Sequence, residues 1–160
     1  MPEKKSRFFT PELARQALTA AEACILALFN SKVSAPERPF IHMVILGNDG
    51  KIIAEQTIGR APEGEDFEDQ CRKIARSKAE IHFRTGRSSK VVQERAPHLL
   101  SKFDTIYGGS AEFEDIIVAG SGVEEYFDEA ISNMVAGLVW AFCKKTQANF
   151  RYANQAADWY

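Results

Sequence analysis

Phe40-Ile41-His42-Met43-Val44-Ile45-Leu46, then Gly47-Asn48-Asp49-Gly50, then Lys51-Ile52-Ile53-Ala54-Glu55-Gln56-Thr57-Ile58 is the stretch on which the fold turns. The first run is short, almost wholly apolar, and bounded by Pro39 and Gly47. Asn, Asp and Gly at 48–50 tolerate the positive φ of a tight turn, so the two runs read as a β-hairpin. On its N-terminal side, Thr10-Pro11-Glu12 places a hydroxyl cap, a proline and an acid where a helix begins. Leu13, Ala14, Ala17, Leu18, Ala21, Ile25, Leu28 and Phe29 then recur at helical spacing to about Asn30. Residues 34–39, with two prolines, lead from that helix into the hairpin.

On the C-terminal side a loop from Gly59 to Gly64, containing Pro62, precedes a long helix from Glu65 or Asp66 to about Arg84. Ser88-Ser89 caps a short helix, Lys90 to Ala96, which Pro97 stops. Phe103 to Tyr107 reads as a short strand entering Gly108-Gly109. Glu112 to Ala119 carries the buried strand Ile116-Ile117-Val118-Ala119 and ends at Gly120-Ser121-Gly122. A last helix, about Glu124 to Lys145, is expected to bury Phe127, Ala130, Ile131, Met134, Leu138, Val139 and Phe142. The tail from Thr146 to Tyr160 is polar, with Phe150, Tyr152, Trp159 and Tyr160 available for docking. The order of elements predicts an antiparallel sheet of four or five strands with helices on its faces.

Composition narrows the function classes without naming one. The chain has 160 residues, 45% of them hydrophobic and 26% charged, the values of an ordinary globular domain. A net charge of −2 gives no overall field to gather nucleic acid or anionic lipid. Cys24, Cys71 and Cys143 are too scattered for a disulfide framework or a zinc site. The charged start lacks an apolar core, so no secretory signal is expected, and Met134–Cys143 is about half the length of a membrane span. The expectation is a cytoplasmic protein without nucleic-acid or membrane partners.

Lys78 is the oddest placement in the sequence. Phe67, Cys71, Ile74 and Ile81 make one narrow stripe on the second long helix, and Lys78 falls in its middle. Such a lysine either snorkels, pairs with a buried anion, or faces a pocket where its charge meets a ligand carboxylate or phosphate. Gly120-Ser121-Gly122 stands at a strand-to-helix junction where backbone N–H groups can face a ligand. Glu124, Glu125 and Asp128 follow at once, however, and repel phosphate there. The order Ala119-Gly120-Ser121-Gly122-Val123 is no Gly-x-Ser-x-Gly elbow. His42, His82 and His98 lack metal-ligand spacing, although one axial haem ligand needs no partner. The basic residues over 72–90 read as a solvated face with pairs such as Glu68–Arg72 and Asp69–Lys73.

The pattern resembles the GlcG/HbpS-like family, also called the haem-degrading domain family and found at the C-terminus of PduO proteins. The likeness lies in the Ala-rich first helix, the apolar strand into Asn48-Asp49-Gly50-Lys51, and Ile74-Ala75-Arg76-Ser77-Lys78-Ala79 with Phe83. It continues through Gly108-Gly109 and Ser121-Gly122, with Asp128 seven residues past the serine. The resemblance implies an α/β (α+β) class: a profilin-like three-layer α/β/α sandwich around an antiparallel sheet of about five strands. It implies one domain over 8–145 with a tail over 146–160, and assembly into a homo-oligomer. It also implies a small-molecule pocket, associated in some members with haem or corrinoid, with motif positions Lys78, Ala79, Gly108, Gly109, Ser121, Gly122 and Asp128. His82, on the flank of the stripe, joins the candidate ligand-binding set. Ser110 to Asp115 departs from the family, whose members follow the double glycine with a longer hairpin.

The sequence therefore supports an oligomeric small-molecule-binding protein, with haem as one candidate ligand. The alternatives are a non-catalytic assembly protein of the same fold and a small-molecule enzyme of a catabolic operon.

Overall fold

The computed structural model describes residues 5–61, 64–156 and 158–159. Pro62 of the expected loop, Tyr160 of the aromatic tail and the first four residues lie outside them.

Helix α1 (Pro11–Phe29) starts where the sequence places it, with the Thr10 hydroxyl accepting from the Leu13 N–H. Strands β1 (Phe40–Leu46) and β2 (Ile52–Gly59) form the expected antiparallel hairpin, with Gly50 at φ 77° in its turn. Helix α2 (Glu65–Thr85) ends on Gly86 in the left-handed conformation, whose N–H closes on the His82 carbonyl. The short α3 (Ser89–Arg95) is capped by the Ser88 hydroxyl. Strands β3 (Ser110–Phe113) and β4 (Ile116–Ser121) and helix α4 (Glu125–Ala153) complete the chain.

The four strands lie in the order β2-β1-β4-β3, each pair antiparallel, so the expected class holds with one strand fewer than about five. The missing strand is Phe103–Tyr107. Its backbone is held by side chains instead of a neighbouring strand: Thr105 N–H donates to the Ser77 hydroxyl and the Gln93 amide donates to the Thr105 carbonyl. Phe103 sits at φ 77°, which no strand accepts, and its ring is 90% exposed. The expected strand Ile116–Ala119 is the core of β4, and the residues before it, for which no strand was expected, form β3 and turn at Glu114-Asp115 into a second hairpin, both turn residues having positive φ. Two acids in place of Asn-Gly hid this turn.

Strand β1 is buried on both faces, which explains its continuous apolar run. Ile41, Met43 and Ile45 pack with α1 and α4, whereas Val44 and Leu46 pack with Ala75 and Ala79 of α2. The result is three layers: α1 and α4 on one face, the sheet, and α2 on the other. Alanines 75 and 79 bring α2 close to the sheet, where larger side chains would hold it off.

Three local expectations change. Ala130 is exposed, on the outer side of α4. Arg72 pairs with Asp69, one residue nearer than the expected Glu68. Helix α4 continues eight residues beyond Lys145 into the segment read as tail. Contacts with the start of the chain hold it there: Phe150 meets Phe8 edge-on at 6.0 Å, and the Arg7 guanidinium lies 4.1 Å from the Phe150 ring.

Candidate functional site

Lys78 is the one buried lysine among the described residues, only 1% exposed. From the sheet-facing side of α2 its Nζ donates to the Gly120 carbonyl and to Asp128 Oδ2, each at 2.8 Å. Asp128 stands in the first turn of α4, and its Oδ1 accepts the Val123 N–H at 3.3 Å. One ion pair thus ties α2, the end of β4 and the start of α4 together. Burial pushes the Asp128 carboxyl up to about 7, even though the facing Lys78 pulls it down.

The glycines let this knot close. Gly109 has φ 121°, and a Cβ there would lie 2.7 Å from Asp128 Cβ and 2.9 Å from Lys78 Nζ. Gly108 donates its N–H to Glu125 Oε1 at 2.6 Å. At Gly122, φ 146°, a Cβ would press on the Phe40 backbone. Lys78, Ser121, Gly122 and Asp128 line one cavity of about 340 Å³, walled also by Phe67, Cys71 and Ile74. Gly108 and Gly109 stand beside it through their contacts with Glu125, Asp128 and Lys78.

The cavity carries both signs of charge. Arg38 and Lys78 face it with Glu124, Glu125 and Asp128. Arg38 stacks its guanidinium 5.0 Å from the Phe67 ring centre. Glu124 occupies the helix N-cap position without capping it: Oε1 accepts the Glu37 N–H, and Oε2 is buried without a partner among the described residues. Burial raises the Cys71 thiol, which keeps it protonated and weakly nucleophilic. A larger hollow of about 630 Å³ is edged by Arg60, Glu65 and Glu68, all reaching solvent, and among the described residues it offers no comparable buried charge.

His82 lies elsewhere. Its Nε2 faces Glu112 Oε2 at 3.2 Å and its Nδ1 faces the Ser110 hydroxyl at 3.1 Å. Carboxylate, imidazole and hydroxyl in a row have the order of a hydrolytic triad. Ser110, however, is fully buried, and its oxygen already accepts the Ser89 N–H and donates to the Ser89 hydroxyl. No substrate reaches it; the row fastens α2 and α3 to β3. His42 is likewise held, by Thr57 and Glu55. Burial lowers both imidazoles and keeps them neutral. Among the described residues no group of three or more His, Cys, Asp or Glu side chains is placed to hold a metal ion.

Haem fits this lining poorly. No histidine borders the cavity, the one thiol is held protonated, and three carboxylates oppose the haem carboxylates.

Sequence reasoning brought Lys78 and Asp128 forward, read Glu124 as a charge repelling anions at the Gly120-Ser121-Gly122 turn without placing it in the candidate set, and missed Arg38. Phe67, Cys71, Ile74 and Lys78 are spaced i, i+4, i+7 and i+11, so the cavity wall on α2 was readable as a face. Nothing in the linker sequence marks Arg38.

No family model matches the chain, and no curated protein matches it. Among solved structures, protein ORFY of Klebsiella pneumoniae, a DUF336 family protein, matches with 17% identity and a TM-score of 0.48. The match covers 88% of this chain and 98% of that one. DUF336 is the GlcG-like family. A likeness this loose carries no weight for the site, which rests on its own geometry. Among the described residues no helix is long and apolar enough to cross a membrane.

Proposed function

We propose that this chain is a small-molecule-binding domain whose ligand enters the cavity over the Lys78–Asp128 pair. The observation that carries the reading is an ion pair held out of water at the wall of a cavity. Its volume of about 340 Å³ lies at the small end of the range for organic ligands. Phe67 and Ile74 would hold the ligand's body, and the charged groups would orient it. The three carboxylates favour a ligand without negative charge. A thermal-shift screen of small polar metabolites tests this. A ligand should raise the melting temperature of the wild type and not that of Ile74→Trp, which fills the cavity. A screen in which no compound separates the two proteins contradicts the reading. Haemin should leave its Soret band unshifted.

A second reading, self-association, is favoured by Phe103 and Ile106, 90% and 76% exposed on the loop before β3. In this reading the protein is a homo-oligomer joined through that loop. Light scattering should report an assembly that Phe103→Ser with Ile106→Ser dissolves; a monomeric wild type contradicts it.

A further inference from the structure

The Lys78–Asp128 pair is a poor investment if its only task is to hold three elements together. A buried ion pair of this kind stabilises no better, and often worse, than two well-packed apolar side chains. Its chemistry, by contrast, is specific: a buried lysine nitrogen donates to a buried carboxyl at 2.8 Å at the wall of a cavity. Burial penalises the carboxylate form of Asp128, so the carboxyl facing Nζ can take up and return a proton near neutral pH. That carboxyl is pushed up to about 7 although the facing Lys78 pulls it down. No outside base is then needed to free the nitrogen lone pair.

We propose that Lys78 is a nucleophilic amine that forms a Schiff base with a small, neutral hydroxyaldehyde or hydroxyketone, Asp128 moving the protons. The inference rests on the cavity being a ligand site. The proton passes from Nζ to Asp128 Oδ2, leaving a neutral amine. Nζ attacks the carbonyl carbon; the C–N bond forms and the C=O π pair moves to oxygen. Asp128 gives its proton to that oxygen and takes one from the nitrogen, which yields the carbinolamine. It then protonates the hydroxyl, the C–O bond breaks, and one water leaves. The product is a protonated imine on Nζ facing the Asp128 carboxylate. Three hydrogens of the ammonium become one on the imine and two in water, and nothing is oxidised or reduced.

The class of carbonyl compound follows from the other walls. Three carboxylates against two cations oppose an anionic keto acid. Glu124 Oε2, buried without a partner among the described residues, calls for a hydrogen-bond donor, which a hydroxyl beside the carbonyl supplies. Gly120 O and Asp128 Oδ2 hold two of the three Nζ hydrogens, and they orient the nitrogen before any ligand arrives.

The test is reductive trapping. The wild type is treated with glycolaldehyde and cyanoborohydride near neutral pH, and each lysine's modification is followed by peptide mass mapping. Lys78 should acquire a hydroxyethyl group well before exposed lysines such as Lys51 and Lys102. Asp128→Asn should slow Lys78 by about a hundredfold, the usual worth of a positioned acid–base group, with exposed lysines unchanged. Pyruvate should label Lys78 more slowly than glycolaldehyde does. Exposed lysines reacting first in the wild type would overturn the proposal without recourse to a variant, and so would an unaltered rate in Asp128→Asn. If glycolaldehyde raises the wild-type melting temperature and leaves Lys78 unmodified, the cavity remains a ligand site and the covalent step falls. If no compound of the screen raises it, binding itself falls.

Discussion

Lys78 and Asp128 depend on each other, and the cost of separating them is set by the charge left behind. Lys78→Met leaves a carboxyl that is 3% exposed without its partner, and Asp128→Asn strands an ammonium. Either change should cost about 3–5 kcal/mol in chemical denaturation, whereas the double variant Lys78→Met with Asp128→Leu should cost less than either. A double variant worse than both singles would show the pair to be a net stabiliser. His82 gives a prediction in pH. Its folded-state value is lowered, chiefly by burial, so its share of stability is intact above the ordinary histidine range and is lost as pH falls through it. The free energy of unfolding should therefore fall less steeply between about pH 6.5 and 5 in His82→Gln than in the wild type, which binds one more proton on unfolding there. Equal slopes would mean that the imidazole is not held neutral.

At the scale of elements, the knot around Lys78 rests on a glycine that tolerates no side chain. Gly109→Ala combines left-handed backbone with a Cβ pressed on Asp128 and Lys78, and should destabilise by about 1–3 kcal/mol. Gly137, within α4 and with nothing near a Cβ, is the control: Gly137→Ala should stabilise by roughly 0.5–1 kcal/mol. Melting curves separate the two. Elements governed by local signals were legible in the sequence: the Thr10 cap, the Asn48-Asp49-Gly50 turn and the apolar stripe of α2. Elements governed by partners were not. Phe103–Tyr107 has strand-forming residues, but Ser77 and Gln93 occupy its backbone, and neither contact is visible from local propensity. The site divides the same way: Lys78 betrayed itself by breaking a pattern, whereas Arg38 arrives from an irregular segment. His82, close to Lys78 in sequence, lies about one helical turn beyond it and faces β3.

For the whole molecule, three layers bring residues from distant parts of the chain to one cavity, with α2, the end of β4 and the start of α4 meeting there. The far end of α4 is anchored separately, by Phe8 and Arg7 against Phe150 and by the Cys143 thiol donating to the Phe8 carbonyl. Phe150→Ala should raise hydrogen exchange in α4 beyond Lys145 and leave exchange at Lys78 unchanged. Equal loosening at both ends would mean that α4 answers as a single unit. The claim on which the account depends is that one ammonium is shielded from water at a ligand cavity. The side-chain NH3+ resonances of ¹⁵N-lysine-labelled protein test it most directly. The account predicts one signal that persists near neutral pH, disappears in Lys78→Met, and moves with any compound that raises the melting temperature of the wild type but not of Ile74→Trp. A Lys78 ammonium that exchanges as fast as the exposed lysines, or that ignores every such compound, would contradict it.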